Sequence, residues 1–381
     1  MKVVAAPDSF KGALRSPEVA AALATGWKSV REDDEVIAIP LADGGEGTAE
    51  ALRIATGGER VTVSAHDALM RPVESEYSIL GDGETVVMEM ATAAGIELIR
   101  REELDPLAAT TYGAGEVLLS ALKRGANKVV IGIGGSATVD GGAGFLQALG
   151  VKYFDADGKI IPAGIGGGAL HRICRIDASA LADVVTCGLI VACDVTNPLL
   201  GERGTVAVFG PQKGVTPELK PMMENGIRHW AEVVMRSGLA DRCDAPGDGA
   251  AGGLGFALRS VLKAEIRSGA GLVMDLSGFD TAVRGASLVI TGEGCSDEQT
   301  TYGKLCAVVA ERAEAANVPT VLCAGALRGD TAALEKRFSG VFSIAAGPGA
   351  LEDAIAATGE NLRRAGANLA RLASVFSGKR G

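Results

Sequence analysis

No two cysteines of this 381-residue chain fall at CxxC spacing, although it has seven: Cys174, Cys187, Cys193, Cys243, Cys295, Cys306 and Cys323. Their odd number and mostly apolar settings, as in VVTCGLIVAC, argue against a disulfide framework and for buried thiols in a reducing cytosol. No apolar stretch reaches the ~18 residues that a spanning helix needs, and MKVVAAPDSF turns polar too early for a signal peptide. A cytoplasmic protein is expected. Basic runs are missing as well. With a formal charge of −10 and a pI near 5.0, neither nucleic acid nor a membrane surface is an expected partner. His66, His171 and His229 stand in no metal-binding relationship, and without a GxSxG elbow a Ser/His/Asp hydrolase has no support. A Walker A loop is absent too, because Gly294 lies too far from Gly303 and Lys304, and Leu305 follows the lysine.

What is present is ordinary globular material, 47% hydrophobic and 22% charged, long enough for two domains of ~100–200 residues. Residues 2–6 read as a strand stopped by Pro7. Ser16 as N-cap and Pro17 in the first turn then open a helix carrying Val19, Leu23 and Trp27. EVIAIP is a second strand. Residues 60–90 alternate as antiparallel hairpins turned by GDG at 81–83. A helix over 114–122, the strand KVVIGIG, the strand GLIVACD and a helix around His229 and Trp230 follow. From 286 onward ASLVIT, KLCAVVAERAEAA, PTVLCAG, VFSIAAG and a long terminal helix give βαβ repetition. These patterns predict a sheet shared by residues 1–80 and 281–381, with 81–280 as a second α/β domain.

One chemical theme recurs in the loops: an acid beside glycine. It appears in ADGGEGT with Asp43, Gly44, Gly45 and Glu46, in TVDGGAG with Asp140, and in TGEGCSDEQT with Gly292, Glu293, Gly294 and Asp297. CDVTNP adds Asp194 and Asn197. Glycines let the main chain approach a ligand, and hard carboxylates suit Mg²⁺ bound together with substrate phosphate. Taken singly, each pair is as well explained by a tight turn or a cap. Phosphoryl transfer also needs fixed positive charge, which Lys11 in PDSFKG and Lys213 in FGPQKG offer from rigid settings.

In this order the loops resemble those of the glycerate kinase family, of the bacterial glycerate 2-kinase type. The matching stretches are PDSFKG, ADGGEGT, IGIGGSAT with DGGAG, ACDVTNPLLG, VFGPQKG, GAAGGLG, and LVITGEG with DEQTTYGK, nearly end to end. The sequence departs from the family pattern at Val139, Leu305 and Cys306. The resemblance implies two α/β domains, one with a Rossmann-like parallel sheet and one flavodoxin-like or mixed, with the active site in the cleft between them. It also implies ATP-dependent phosphorylation of D-glycerate with Mg²⁺, at the 2-hydroxyl, to give 2-phosphoglycerate and ADP, in a monomer or homodimer. Phosphorylation of the 3-hydroxyl or of a related hydroxy acid is the near alternative.

On this reading Asp194, Lys11 and Lys213 are catalytic, and Glu293 and Asp297, with Asp43 or Glu46, hold the metal directly or through water. Asp8, Ser9, Asp43, Gly44, Gly45, Glu46, Gly134, Gly135, Ser136, Asp140 and Asn197 meet the substrate. Gly292, Glu293, Gly294, Gln299, Thr300 and Lys304 meet the nucleotide. Two rivals of other classes stand beside it. One is an NAD-dependent oxidoreductase built on GIGGSA, which matches GxGxxA after a strand and has Asp155 at about the ribose-binding distance. The other is a non-catalytic sugar-acid sensor, whose mark would be loss of the acids and lysines that this chain retains.

Overall fold

The computed structural model describes residues 1–301, 304–347 and 349–377. Its strands in chain order are β1 Lys2–Ala5, β2 Glu35–Ala38, β3 Glu59–His66, β4 Pro72–Ile79, β5 Thr85–Glu89, β6 Lys128–Gly132, β7 Lys152–Phe154, β8 Arg175–Asp177, β9 Gly188–Ala192, β10 Glu265–Arg267, β11 Leu288–Ser296, β12 Thr320–Leu327 and β13 Gly340–Ser343. The chain forms two compact units. One comprises Met1–Asp43, Glu50–Gly57 and Ala270–Gly381, and the other Gly44–Ala49 and Gly58–Gly269.

The first unit is built on a five-stranded parallel sheet, β13-β12-β11-β1-β2. Numbered along the chain, its strands lie in the order 2-1-3-4-5, the doubly wound order of flavodoxin type, which reverses direction between β1 and β11. Successive side chains of a strand face opposite sides. Val321 and Cys323 therefore pack with Val3, Leu23, Trp27 and Leu362, while Leu322 between them packs with Cys306, Ala310 and Phe338. On the first of these faces the helices Ser16–Lys28 and Thr358–Ser377 cross closely. A Cβ on Gly26 would lie 2.0 Å from the Arg363 carbonyl oxygen, so only glycine fits there. The first helix starts at Ser16, the expected cap itself: Arg15 is the N-cap, and its N–H donates to the Glu18 carboxylate at 2.9 Å.

The second unit carries a six-stranded mixed sheet, β10-β9-β6-β5-β4-β3, and a small antiparallel pair, β7-β8. β3, β4 and β5 are antiparallel, as the alternating pattern predicts, and Asp82 caps the GDG turn by accepting from the Thr85 N–H at 2.9 Å. β5, β6, β9 and β10 then run parallel in chain order. β3 and β4 join this sheet through β5, so residues 58–80 pack with the second unit. The core gathers Met88, Val117, Ile131, Phe145, Tyr153, Val191 and Trp230. No helix among the described residues is long and apolar enough to cross a membrane.

Candidate active site

In open parallel sheets ligands bind beyond the strand C-terminal ends, at the point where strand order reverses. In the first unit that point lies between β1 and β11; PDSFKG leaves β1, and the acid-rich 293–301 segment is the last part of β11 with the turn that follows it. Asp8 follows β1, and its N–H donates to the Gly292 carbonyl at 2.8 Å while its Oδ1 accepts from the Ser9 N–H at 2.6 Å. Burial, with help from the nearby Asp43 and Glu293 carboxylates, pushes the Asp8 carboxyl up to about 7, against the pull of the Ser9 amide and Lys11. Glu293 Oε1 accepts from the buried hydroxyls of Ser296 at 2.9 Å and Thr300 at 2.6 Å. Asp297 Oδ1 accepts from the Gln299 N–H at 2.9 Å. A Cβ on Gly294 would approach the Lys11 nitrogen to 3.3 Å, so the two loops run backbone against backbone. Lys11, Asp43, Gln299 and Lys304 are exposed.

The second unit also gathers polar groups at strand C-terminal ends. Glu89 ends β5 and is 8% exposed; its Oε2 accepts from the Gly47 N–H at 3.1 Å and its Oε1 from the Ala49 N–H at 2.8 Å. Gly134 and Gly135, just past β6, are exposed, and Gly134 lies against Gly45, whose Cα a Cβ there would approach to 3.4 Å. Asp194, past β9, is exposed and accepts from the Gly269 N–H at 3.1 Å. Lys213 is different. It is 1% exposed, and its Nζ donates to Ser136 Oγ at 2.6 Å and to the Thr138 carbonyl at 2.8 Å. Burial lowers the Lys213 ammonium to about 7, and the neighbouring Asp140 resists that fall. Asp140 is fully buried, accepting from Thr111 N–H and Oγ1 and from the Gly142 and Gly144 amides.

The glycerate kinase family model matches residues 3–374. The chain belongs to the glycerate kinase family. It is 42% identical over 377 residues to the glycerate 2-kinase of Escherichia coli K12, covering 98% of each chain. It is 40% identical to the glycerate kinase of Bacillus cereus ATCC 10987 over the whole of both chains. A crystal structure of a Salmonella typhimurium LT2 protein, assigned as a glycerate kinase 2, superposes with a TM-score of 0.89 at 40% identity over all of both chains. This glycerate kinase family fold agrees with the two α/β sheets expected, one parallel and one mixed.

The sequence-predicted residues of this family member divide into two groups. Asp8, Ser9, Lys11, Asp43, Gly45, Glu46, Gly134, Gly135, Asp194, Asn197, Glu293, Gly294, Asp297, Gln299 and Lys304 are exposed or half-buried. Gly44, Ser136, Asp140, Lys213, Gly292 and Thr300 are enclosed. Asp140 and Thr300 are engaged by protein groups, and Asn197 donates its amide to the Arg203 carbonyl at 2.8 Å. Gly292 is pressed against β12, where a Cβ would lie 2.2 Å from the Cys323 oxygen. Val139, Leu305 and Cys306 are all core residues.

Three readings need correction or addition. The dinucleotide fingerprint fails geometrically, because the next helix begins only at Ala143 and Asp155 sits in a turn, accepting from the Asp157 and Lys159 amides. Only Cys306 and Cys323 are buried, whereas Cys174 is exposed and the other four are half-buried; all seven are free thiols. Glu89 was missed. Its only signal is an acid closing the buried run TVVME, whose burial requires hydrogen-bond partners.

Proposed function

We propose that the chain is an ATP-dependent glycerate kinase that phosphorylates the 2-hydroxyl of D-glycerate, giving 2-phosphoglycerate and ADP in the cytoplasm. The end-to-end family match carries this reading. The name of the Escherichia coli relative, glycerate 2-kinase, supports the choice of hydroxyl.

Positioning and electrostatics carry most of a phosphoryl transfer. Lys11, exposed beside the β1–β11 reversal, meets anionic oxygens. Lys213 acts through Ser136. Because its ammonium occupies a lone pair of Ser136 Oγ, the hydroxyl hydrogen is left for another acceptor, and such a donor favours an anion. With the exposed backbone of Gly134 and Gly135 it forms a cradle for a phosphate or for the glycerate carboxylate. Asp194 orients or deprotonates the attacking hydroxyl, and Asp8, Ser9, Asp43 and Glu46 hold the substrate hydroxyls. Asp140, Gly44 and Asn197 shape these loops from within rather than touching substrate.

The nucleotide is assigned to Glu293, Gly294, Gln299 and Lys304, with Gly292 and Thr300 fixing their backbone. Glu293 and Asp297 would hold Mg²⁺. They are hard oxygen donors, half-buried, and among the described residues no group of three or more His, Cys, Asp or Glu forms a metal cage. That donor set fits an ion that keeps several waters and takes one or two carboxylates plus phosphate. Bound there, the ion would neutralise phosphate charge.

An assay coupling ADP formation to glycerate addition tests the reading: glycerate-dependent ADP is expected, and its absence would overturn it. Asp194→Asn is expected to lower kcat by ~10²–10⁴-fold, the span of a positioned general base. Turnover close to wild type would remove Asp194 from that role.

A further inference from the structure

The chain contains the pattern Asp-Gly-Gly-x-Gly twice, at 43–47 just before the helix Thr48–Thr56 and at 140–144 running into the helix Ala143–Ala148. In the second copy the aspartate caps its own loop, and Asp140 Oδ2 accepts from the N–H four residues on, that of Gly144, at 3.2 Å. In the first copy the equivalent amide, Gly47 N–H, donates instead to Glu89, a residue 42 positions away at the end of β5, which also takes the Ala49 N–H. Asp140 is consequently enclosed, while Asp43 is exposed and close enough to Asp8 to raise its pKa.

We propose that Glu89 is a positioning residue of the active site: it takes over the capping of the 43–49 loop, so that Asp43 and Glu46 face ligand. A buried carboxylate bridging two amides two residues apart, those of Gly47 and Ala49, fixes both the height and the tilt of that loop. The isosteric amide cannot do the same, because it offers one acceptor oxygen and turns an NH₂ donor toward the other amide. Burial pushes the Glu89 carboxyl up, the two amides pull it down, and Glu46 on the loop and Glu76 on β4 raise it further. The clamp is therefore expected to weaken as the pH falls and Glu89 takes a proton.

The assignment rests on the proposed reaction for its kinetic readout alone; hydrogen exchange of the loop is independent of what the enzyme does. In full-length Glu89→Gln, exchange of a peptide spanning residues 44–50, corrected for intrinsic rates, should accelerate at least tenfold relative to wild type. Glycerate-dependent kcat/KM should fall by ~10²-fold, as expected for a misplaced positioning loop. In wild type the same exchange should rise as pH is lowered, with a midpoint that moves down in Glu76→Gln and a pH dependence that disappears in Glu89→Gln. Unchanged exchange in Glu89→Gln, or faster exchange with unchanged kcat/KM, would overturn the proposal. A wild-type enzyme inactive on glycerate would overturn the reaction while leaving the exchange result to decide the clamp.

Discussion

The two Asp-Gly-Gly-x-Gly loops use the same residues for opposite ends. In the loop at 140–144 everything points inward. The Asp140 carboxylate is fully buried, Trp230 Nε1 donates to the Gly141 carbonyl at 3.0 Å, and a Cβ on Gly144 would lie 2.0 Å from Thr110 Oγ1. In the loop at 43–47 the carboxylates of Asp43 and Glu46 are exposed, and a Cβ on Gly47 would meet nothing within 4 Å. The flanks explain the difference. Val139, Ala143 and Phe145 are core residues that pull the second loop into the hydrophobic cluster, whereas the first has Glu46 at the x position and is held from outside by Glu89. An acid beside glycine therefore identifies a loop whose backbone must be capped, and only its neighbours say whether the acid itself does the capping.

The comparison can be broken most strongly at the aspartates. Asp43→Asn should lower kcat/KM by ~10²–10⁴-fold, the range for a group acting in the transition state, with the melting temperature within a few degrees of wild type. Asp140→Ala should do the reverse: a loss of about 3–5 kcal/mol in denaturant unfolding, because four donors lose their acceptor and the buried Lys213 loses a neighbouring carboxylate. Equal effects of the two changes would dissolve the distinction.

At the last glycine, Gly144→Ala should cost about 1–3 kcal/mol by overpacking against Thr110 and Tyr112. Gly47→Ala, at φ +83° in open space, should cost only about 1–2 kcal/mol of backbone strain. Thermal melts of the pair rank the crowding directly.

A smaller effect separates Asp8 from Lys213 by pH. Asp8 titrates at about 7 and must be an anion to accept a substrate hydroxyl, so kcat/KM should fall below pH 7. Lys213 also titrates at about 7 and must be a cation to act through Ser136, so kcat/KM should fall above it. The alkaline limb should be lost in Ser136→Ala, where the charge has no hydroxyl to act through. Stability has its own sign. Between about 7 and the ordinary lysine value of 10.5 the unfolded chain holds a proton that the folded chain gives up, so the Lys213 contribution favours folding as pH rises through that window and is lost as pH falls.

Periodicity made the fold legible where strands are buried on both faces, as in KVVIG and LVIT, and where alternation marks a hairpin, as in β3 and β4. It also placed Asp8 and Asp194 just past strand ends, whereas Glu293, expected in the loop after LVIT, lies within β11, paired with Ala324. Burial was not legible. FGPQKG reads as a rigid loop that offers its lysine to an anion, yet the short helix Thr205–Phe209 and the turn after it carry Lys213 inward to Ser136, 77 positions earlier in the chain. The clamp on the first acid loop was hidden for the same reason, since the amides that Glu89 serves lie about forty positions away and offer no local pattern.

The central claim is the transfer of a phosphoryl group from ATP to the 2-hydroxyl of glycerate. Incubating the protein with ATP, Mg²⁺ and D-glycerate and identifying the phosphorylated product by phosphorus and proton NMR tests it most directly. The account predicts 2-phosphoglycerate in equal amount to ADP; 3-phosphoglycerate, or no phosphorylated acid at all, would contradict it.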